Sequence, residues 1–440
     1  MRRTYVPLLC AALITPMAHG QATKPAPANQ ALQLSTATSA SAPGSFARAG
    51  AGLSLEAAVQ MALRQNPLLR AAEAEVAASR GAIDQAGVLP NPSLGVDQED
   101  TRRETRTTTI MLSQAFELGG KRAARVQLAH SGRNLAMAEL ATREADVRAG
   151  TIQAFFDALI AQERVKVAEE SLGIAASGAA AAARRVTAGK VSPTEETRAR
   201  VAEAASRIEL RQAQADYQSA LRALSLVMGV TEGALGQLDG RADTVPQPPT
   251  HASIAQRLSQ APALRRAQSE VQRASAAYEL ERARRIPDVT VSLGVKRAPE
   301  IGRNQPMISV SVPLPLFDTN NGALLETLRR RDAAQALAKA EEQRIRSEVL
   351  QNIDQLQARA SEAQALRQDV LPGARSAYEA ASRGFELGKF SFLEVLDAQR
   401  TWLQARTQYL QSLAEVHRAA AELERRLGSP TDRPNTGNQP

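Results

Sequence analysis

A long internal duplication is the feature of this chain that most constrains its fold. The segments Arg184–Ser192 and Arg383–Ser391 both carry a Gly-Lys pair followed two residues later by serine, and the second glycine lies 199 residues after the first. The Ala-rich segments that follow them reach Gly229 and Gly428, which are again 199 residues apart. Two copies of one large unit predict a structure, and a function, that are built by symmetry.

The composition favours long helices over a thick globular core. Only 3% of the 440 residues are aromatic, and Trp402 is the single tryptophan. The formal net charge is +8, so binding to nucleic acid has to be considered. However, Lys and Arg alternate with Glu along the predicted helices, and the chain contains no basic block with interleaved aromatic residues. We therefore expect no nucleic-acid partner.

The N-terminus has the features of a secretory signal peptide. Arg2-Arg3 provides a short positive region, Val6–Ile14 is mostly apolar, and Ala18 and Gly20 place small residues at both cleavage-site positions. Cys10, the only cysteine, lies inside the apolar stretch, so the mature chain would contain none. Lipidation of Cys10 is a second interpretation, which Leu9 disfavours because a small residue is expected at that place. No later apolar run reaches about 18 residues, so we expect no transmembrane helix.

The duplication divides the chain into six parts. We expect a signal peptide (1–20), an extended or disordered N-terminal segment (21–50), a first repeat (51–229), a proline-rich linker (230–250), a second repeat (251–428) and a disordered tail (429–440). Each repeat has the same predicted order: helix, two strands and a long helical hairpin. The long helix of the second repeat should have a joint at Leu371-Pro372-Gly373, and Leu172-Gly173 should form the matching joint of the first.

Two pairs of strands interrupt the helices. Val289–Lys296 and Ile308–Val312 alternate apolar with small or polar residues, and Pro92–Glu99 and Thr107–Phe116 form a noisier pair. A length near ten residues suits a tilted membrane-spanning strand, although the pattern alone also fits a half-buried strand in a soluble sheet. Four strands cannot close a barrel, and open edges are not tolerated in lipid. The membrane interpretation therefore requires strands from other copies of the chain.

The helices are long and need partners. From Ala123 to Thr187 there is no proline, and a helix of that length spans roughly 100 Å. Leucines at seven-residue spacing near the C-terminus predict coiled-coil packing. Each hairpin turn has a glycine that ends one helix, followed by a Ser-x-x-Glu capping box that opens the next, at Ser192–Glu195 and at Ser391–Glu394.

These motifs together resemble the outer-membrane factors of the TolC family, and within that family the heavy-metal efflux (CzcC-like) branch. The resemblance covers residues 51 to 428 and rests on Leu53–Ala58, Asn66-Pro67, Ser113–Arg122, Val312–Phe317 and Gly388–Gln399. It implies a mainly α fold with four membrane β-strands per chain, assembled as a homotrimer. The trimer would form a 12-stranded outer-membrane β-barrel continued by a periplasmic α-helical barrel.

The resemblance also implies a function and a location. The protein would be the passive exit duct of a tripartite efflux system in the outer membrane of a Gram-negative bacterium. Its partners would be outer-membrane lipid, a periplasmic adaptor (membrane fusion) protein and an inner-membrane pump of the RND type. Heavy-metal cations are the expected cargo. Efflux of drugs or other organic compounds, and a periplasmic coiled-coil scaffold, remain as alternatives.

The hairpin turns hold the candidate site. By the resemblance, Glu394 and Asp397 occupy positions that place acidic rings at the pore constriction, although Glu394 is equally expected to serve as the capping partner. Adaptor contact at the hairpin tips is expected of Gly189, Lys190, Ser192, Gly388, Lys389, Phe390 and Ser391. Phe390 stands where the family often has a basic residue that holds the closed state.

The chain lacks the signatures of catalysis and of metal binding. Its four histidines are scattered, and no two have ligand spacing. No nucleophile–base pair, phosphate loop or dinucleotide fingerprint is present. We therefore expect no enzymatic activity, no cofactor and no resident metal.

Overall fold

The computed structural model describes residues 52–231, 235 and 237–428. The predicted signal peptide (1–20), N-terminal segment (21–50) and tail (429–440) therefore lie outside the described residues. The first repeat contains α1 (Leu55–Gln65), α2 (Pro67–Gly87), β1 (Ser93–Glu99), β2 (Thr107–Phe116), α3 (Lys121–Thr187) and α4 (Pro193–Met228). The second contains α5 (His251–Ser259), α6 (Pro262–Arg284), β3 (Val289–Ala298), β4 (Arg303–Ser311), α7 (Asn321–Ala365), α8 (Leu371–Glu386) and α9 (Phe392–Leu427).

The corner between α1 and α2 shows how a short motif fixes the packing. Asn66 caps α2 by accepting a hydrogen bond from the Leu68 N–H at 2.8 Å, with Pro67 at the first helical position. Its side-chain amide donates to the Val227 carbonyl at the end of α4. Gly229 has a φ of +70°, and a Cβ there would lie 2.8 Å from the Gln65 carbonyl oxygen. The α1–α2 corner therefore packs closely against the C-terminal end of α4.

The four strands form one antiparallel sheet in the order β1-β2-β3-β4, so β1 and β4 are its edges. The register aligns apolar residues across all four strands, in a row of Leu94, Leu112, Leu293 and Ile308. These side chains are 53–76% exposed. The opposite face carries a parallel row of Ser93, Ser113, Ser292 and Ser309. All four predicted strands are present, although β4 begins five residues before the predicted Ile308 and ends one residue before Val312. An apolar face is exposed along the sheet.

The long helix of the first repeat is confirmed, but its predicted joint is wrong. Helix α3 runs without interruption for 67 residues, about 100 Å, straight through Leu172-Gly173. A single glycine costs a helix about 1 kcal/mol relative to alanine, yet it keeps its N–H, so the hydrogen-bond ladder continues. Packing against neighbouring helices offsets a cost of that size.

The second repeat does change its helical geometry near the predicted joint. A π-helical turn, Leu366–Val370, separates α7 from α8, and the Leu371 N–H donates to the Leu366 carbonyl five residues earlier. Pro372 follows directly and supplies no N–H of its own. The joint is therefore a widened turn just before Leu371-Pro372-Gly373, and the helix carries on beyond it.

This π turn holds one extra residue in the second repeat. Before it, the buried residues of α7 lie 198 residues after buried residues of α3; the pairs are Ile345 with Val147, Val349 with Thr151, Ile353 with Phe155 and Leu356 with Ala158. After it, Ala374 and Ala381 lie 199 residues after Ala175 and Ala182, which are also buried. A one-residue insertion would turn the buried face of an α-helix by about 100°, and the π turn absorbs it.

The main core lies where α1 and α5 meet the long helices. Its largest fully buried side chains come from α3, α4, α7 and α9 and include Phe155, Leu159, Leu224, Met228, Ile345, Leu356 and Leu413. The described part of the linker joins this region, since Leu53 and Leu238 form a parallel bridge. Among the described residues, none of the helices combines the length and apolar character needed to cross a bilayer.

Candidate functional site at the hairpin turns

The two hairpin turns share one backbone geometry. Gly189 and Gly388 have φ values of +66° and +73°, in the left-handed region that favours glycine. The next N–H in each turn reaches back across the helix end, from Lys190 to the Arg185 carbonyl at 2.9 Å and from Lys389 to the Gly384 carbonyl at 2.8 Å. This is the Schellman arrangement, which satisfies carbonyl groups at a helix C-terminus. The duplication thus reproduces the turn at the level of single hydrogen bonds.

The caps that open the following helices differ. At the second turn Ser391 and Glu394 form the predicted capping box: Ser391 Oγ accepts from the Glu394 N–H, and the Glu394 carboxylate accepts from the Ser391 N–H at 2.6 Å. The capping box predicted at the first turn is wrong. There Ser192 Oγ accepts from the Thr194 N–H and contacts the Thr194 hydroxyl at 2.9 Å. The second turn has Leu393 at that place, so its serine is free to cap one residue further on.

The two turns lie side by side. The Arg185 guanidinium of α3 lies over the Phe385 ring of α8, 4.5 Å from its centroid. A small cluster of buried alanines, Ala179, Ala182 and Ala199, packs against Phe385 and Leu396. Four helices therefore come together at one end of the hairpins, and alanine at the seam allows their close approach.

Phe390 packs back onto its own hairpin. A Cβ built on Gly384 would overlap the Phe390 ring, so the ring covers the helix at a point that only glycine leaves open. Phe390 remains 45% exposed. The counterpart of Phe390 in the first turn is Val191, which has no ring. The turn motif predicts the place of Phe390 but not its contact with Gly384, for which the glycine at residue 384 is the one available signal.

The two candidate acidic residues lie on the first turns of α9 and are both exposed. They are three residues apart, so they share one face of the helix. In the cap a single oxygen of Glu394, Oε2, accepts two hydrogen bonds, from the Ser391 N–H at 2.6 Å and from the Ser391 hydroxyl at 2.9 Å. Asp397 takes no part in this cap, and its carboxylate forms no ion pair within the described residues. The Glu394 carboxylate therefore caps the N-terminus of α9, while the Asp397 carboxylate is exposed and takes no part in the cap.

An aromatic and charged cluster adjoins the π turn. The rings of Tyr378 and Trp402 stack with centroids 5.2 Å apart, and the Arg406 guanidinium lies 5.2 Å from the Trp402 ring centroid. Arg406 also forms an ion pair with Glu170 of α3. These contacts tie α8 and α9 to α3 and line an open cavity of about 600 Å³ with Pro372. The spacing of these residues in sequence gave no indication of the cluster.

The part of the chain that the structure describes shows no group of three or more His, Cys, Asp or Glu residues able to hold a metal ion. The buried histidine, His417, contacts the Ala242 carbonyl through Nε2 at 2.8 Å and stacks on Phe156. Burial lowers the pKa of His417 below its usual value of 6.5, because the charged form loses its hydration. His417 is accordingly part of the packed core.

The fold and the paired hairpins define a class of bacterial channel-forming proteins. The family model described as outer membrane efflux protein matches residues 58–230 and 253–429, one match for each repeat. The chain belongs to this family. The resemblance inferred from the sequence motifs is thereby confirmed.

Individual relatives refine the comparison. The chain is 45% identical over 384 residues to the cobalt-zinc-cadmium resistance protein CzcC of Cupriavidus metallidurans. The aligned region covers 87% of this chain and 92% of that protein. It is 30% identical to the nickel and cobalt resistance protein CnrC of the same organism, over 63% of this chain and 67% of that protein.

Solved structures show the same fold. A membrane protein from Pseudomonas aeruginosa aligns with a TM-score of 0.74 at 20% identity, covering 85% of this chain and 92% of that chain. A CusC structure aligns with a TM-score of 0.71 at 18% identity, with the same coverage.

Proposed function

We propose that this protein is the outer-membrane channel of a tripartite efflux system and that its cargo is heavy-metal cations. The observation that carries the proposal is the sheet: its apolar face is exposed, both of its edges are unpaired, and it joins helices of up to about 100 Å. An open sheet of this kind is unsuited to water because of its apolar face and to lipid because of its edges. A periplasmic scaffold would have no use for such a face.

Closure of the sheet by a homotrimer resolves both problems. Three copies of the four strands give a 12-stranded barrel without edges. The apolar row that runs from Leu94 to Ile308 would face outer-membrane lipid, and the row of serines from Ser93 to Ser309 would face the lumen. The long helices then continue the duct as an α-helical barrel across the periplasm. In this proposal the mature chain begins after the signal peptide, and the repeats at 51–229 and 251–428 are the two halves of each subunit.

The hairpin turns form the periplasmic end of the duct in this arrangement. Gly189 and Gly388 shape the tips, and the neighbouring residues Lys190, Ser192, Lys389, Phe390 and Ser391 present the surface to a periplasmic adaptor and an RND-type inner-membrane pump. Asp397 from three subunits lies near the axis and forms an acidic constriction. Its exposed carboxylate supports this role, because clustered carboxylates attract cations.

The assignment of metal cations as cargo rests on the relatives. CzcC, with 45% identity, is a cobalt-zinc-cadmium resistance protein, and CnrC is a nickel and cobalt resistance protein. The test is to delete the gene in its native host and measure cell-associated cobalt, zinc, cadmium and nickel, with and without the gene restored on a plasmid. Metal accumulation in the deletion strain supports the proposal. Accumulation of organic compounds alone would assign the channel to the drug-efflux alternative.

Location and assembly need a separate measurement. Cells are fractionated, and the detergent-extracted protein is measured by native mass spectrometry. We expect a trimer from the outer-membrane fraction. A soluble periplasmic monomer would contradict the channel assignment.

A further inference from the structure

The two ends of the four-stranded sheet differ in how their basic residues are held. At the end where the strands continue into the helices, two basic residues of the first turns of α3 are paired within the chain. Lys121 forms an ion pair with Asp288 at 2.7 Å, and Arg125 forms one with Glu117. The positive charge at this end is therefore neutralised by neighbouring carboxylates.

Two arginines at the opposite end of the sheet have no such partner. This end carries the loops that connect β1 to β2 and β3 to β4. Arg297 is the next-to-last residue of β3, and Arg106 comes one residue before β2 begins. Both side chains are exposed. Neither arginine forms an ion pair with another residue in the part of the chain that the structure describes.

Strand alternation places both arginines on the exposed apolar face. Arg297 follows Leu293 and Val295 at two-residue spacing, and those side chains are 55% and 45% exposed. Arg297 faces Thr108 of β2, and Arg106 precedes Thr108 by two residues. Diagonal neighbours of this kind lie about 7–8 Å apart, which is within the reach of long side chains. The two guanidinium groups can therefore contact one ligand from the same face.

The acidic residues at this end do not neutralise the two arginines. Asp100 is the acidic residue that the register brings opposite Arg106. Its two oxygens already accept three hydrogen bonds from its own loop, two from backbone N–H groups and one from the Thr105 hydroxyl. Glu104 and Glu300, in the two hairpin loops, form no ion pair within the described residues. The charge of the arginines is therefore left for a ligand from outside the chain.

The depth of the arginines on the sheet matches a lipid headgroup. Leu293 is the fifth of the ten residues of β3, so in the proposed barrel its row lies near the middle of the bilayer. Arg297 is four residues further from the helices, about 9 Å along the membrane normal for a strand tilted by about 45°. It thus lies about 3 Å inside the outer boundary of an apolar band about 25 Å tall, and Arg106 lies at that boundary. A long arginine side chain extends from there to the headgroups.

We propose that Arg106 and Arg297 bind the phosphate groups of lipopolysaccharide, the glycolipid of the outer leaflet of a Gram-negative outer membrane. The inference rests on the proposed outer-membrane function and adds a lipid-binding site to it. A guanidinium group suits this ligand, because it presents two parallel N–H donors to phosphate oxygens. Thr108 and Asn304 flank Arg297 in the register and bring further hydrogen-bonding groups to the same row.

The apolar face favours a lipid over a soluble phosphate compound. The exposed rows that include Val295 and Leu293 lie next to the arginines on the same face and continue toward the helices. Acyl chains of a glycolipid would pack on these rows while its phosphates contact the arginines. A soluble phosphate compound would use the arginines alone. The continuity of the charged and apolar surfaces therefore fits one ligand that has both parts.

Binding of purified lipid A, the phosphorylated lipid part of lipopolysaccharide, tests the proposal. The delipidated protein in detergent is titrated with bis-phosphorylated lipid A, with dephosphorylated lipid A and with inorganic phosphate, and bound ligand is counted by native mass spectrometry. The native protein should bind the phosphorylated lipid at least tenfold more tightly than the dephosphorylated lipid. Arg106→Gln and Arg297→Gln should each weaken this binding about tenfold, the usual scale for one charge-assisted contact.

Arg303→Gln is the matched control. Arg303 is exposed and lies at the same end of the sheet, but it faces Ala298 and so belongs to the opposite, serine-bearing face. This variant should bind lipid A as the native protein does. Arg297→Lys keeps the charge but loses the planar fork, so its affinity should fall between those of the native protein and Arg297→Gln. The mass and unfolding temperature of each variant show whether it is folded, and the comparison of the two lipids needs no variant.

The outcomes separate this site from the proposed function. Equal binding of the two lipids by the native protein overturns the site, and so does an equal loss of affinity in Arg303→Gln. Displacement of lipid A by inorganic phosphate at equal concentration also overturns it, because the arginines would then serve a soluble ligand. Each of these results leaves the channel assignment intact. A soluble periplasmic monomer contradicts the channel assignment whatever the arginines bind.

Discussion

Replacing Ile308 with arginine tests whether the exposed apolar row faces lipid. Ile308 is 76% exposed and aligns with Leu293, the fifth of the ten residues of β3. This row should therefore lie near the middle of the bilayer. Arginine on the lipid face costs about 2–4 kcal/mol at the midplane of a membrane barrel and about 0–1 kcal/mol near the interface. Each 1.4 kcal/mol is a factor of ten, so Ile308→Arg should lower the folding equilibrium about 30- to 700-fold per site.

The depth dependence follows from strand geometry. A strand rises about 3.3 Å per residue, and a tilt of about 45° reduces this to about 2.3 Å along the membrane normal. Val312 is four residues beyond Ile308, so it lies about 9 Å closer to the surface of an apolar band about 25 Å tall. Val312→Arg should therefore cost much less than Ile308→Arg.

The assay is the denaturation midpoint of the protein folded in lipid vesicles, together with its amount in the outer-membrane fraction. Ser309→Arg is the matched control, because Ser309 is adjacent to Ile308 and points to the opposite face of the sheet. We expect the loss of stability to be largest for Ile308→Arg, smaller for Val312→Arg and smallest for Ser309→Arg. A cost at Ser309 equal to that at Ile308 would refute the lipid-facing assignment.

Three further predictions concern the helices. Asp397→Asn should reduce cation selectivity and block by trivalent cations in single-channel recordings, with little change in stability; unchanged selectivity would exclude an acidic constriction at this residue. Ser391→Ala should cost about 0.5–2 kcal/mol in thermal unfolding through loss of the cap, whereas Glu394→Gln should cost less because the amide oxygen still accepts from the Ser391 N–H. Because burial lowers the pKa of His417, stability from this residue is complete above pH 6.5 and is lost as the pH falls below it. His417→Gln should flatten the fall in unfolding temperature between pH 7 and 5, and an unchanged slope would contradict this.

The elements were predictable where one local signal dominated. Alternation located both strands of the sheet's second hairpin, and the absence of proline predicted the length of α3. Predictions failed where a second group competed for the same hydrogen bond, or where helix packing outweighed the low helix propensity of one residue. Gly173 did not break α3 because its N–H remains in the ladder, and Ser192 formed no capping box because Thr194 engages its hydroxyl.

The contacts of the candidate site were less predictable than its position. The internal repeat and the glycine and serine residues of the turns located both hairpins correctly. The packing of Phe390 on Gly384 depends on the path of the chain through the turn, which the sequence does not report. The stack of Tyr378 on Trp402 depends on the packing of α8 against α9, which no spacing in the sequence reports. The π turn could not be predicted, because the extra residue that it holds is seen only when buried positions are compared between the repeats. Burial is known only once the chain is folded.

The departures from internal symmetry are concentrated in the second hairpin. Among the residues that the structure describes, the π turn, the complete capping box and the aromatic ring packed on glycine occur in the second repeat alone. In the proposed trimer six similar hairpins surround the axis, so any feature confined to one repeat appears three times and alternates with its counterpart. Asp397 has Arg198 as that counterpart. Three carboxylates would therefore alternate with three guanidinium groups, and the charge at the constriction depends on which set of hairpins is nearer the axis. In the proposed trimer the π turn, the capping box and Phe390 would all bear on the position of the hairpin that carries Asp397, and the loss of symmetry would then be linked to control of the pore.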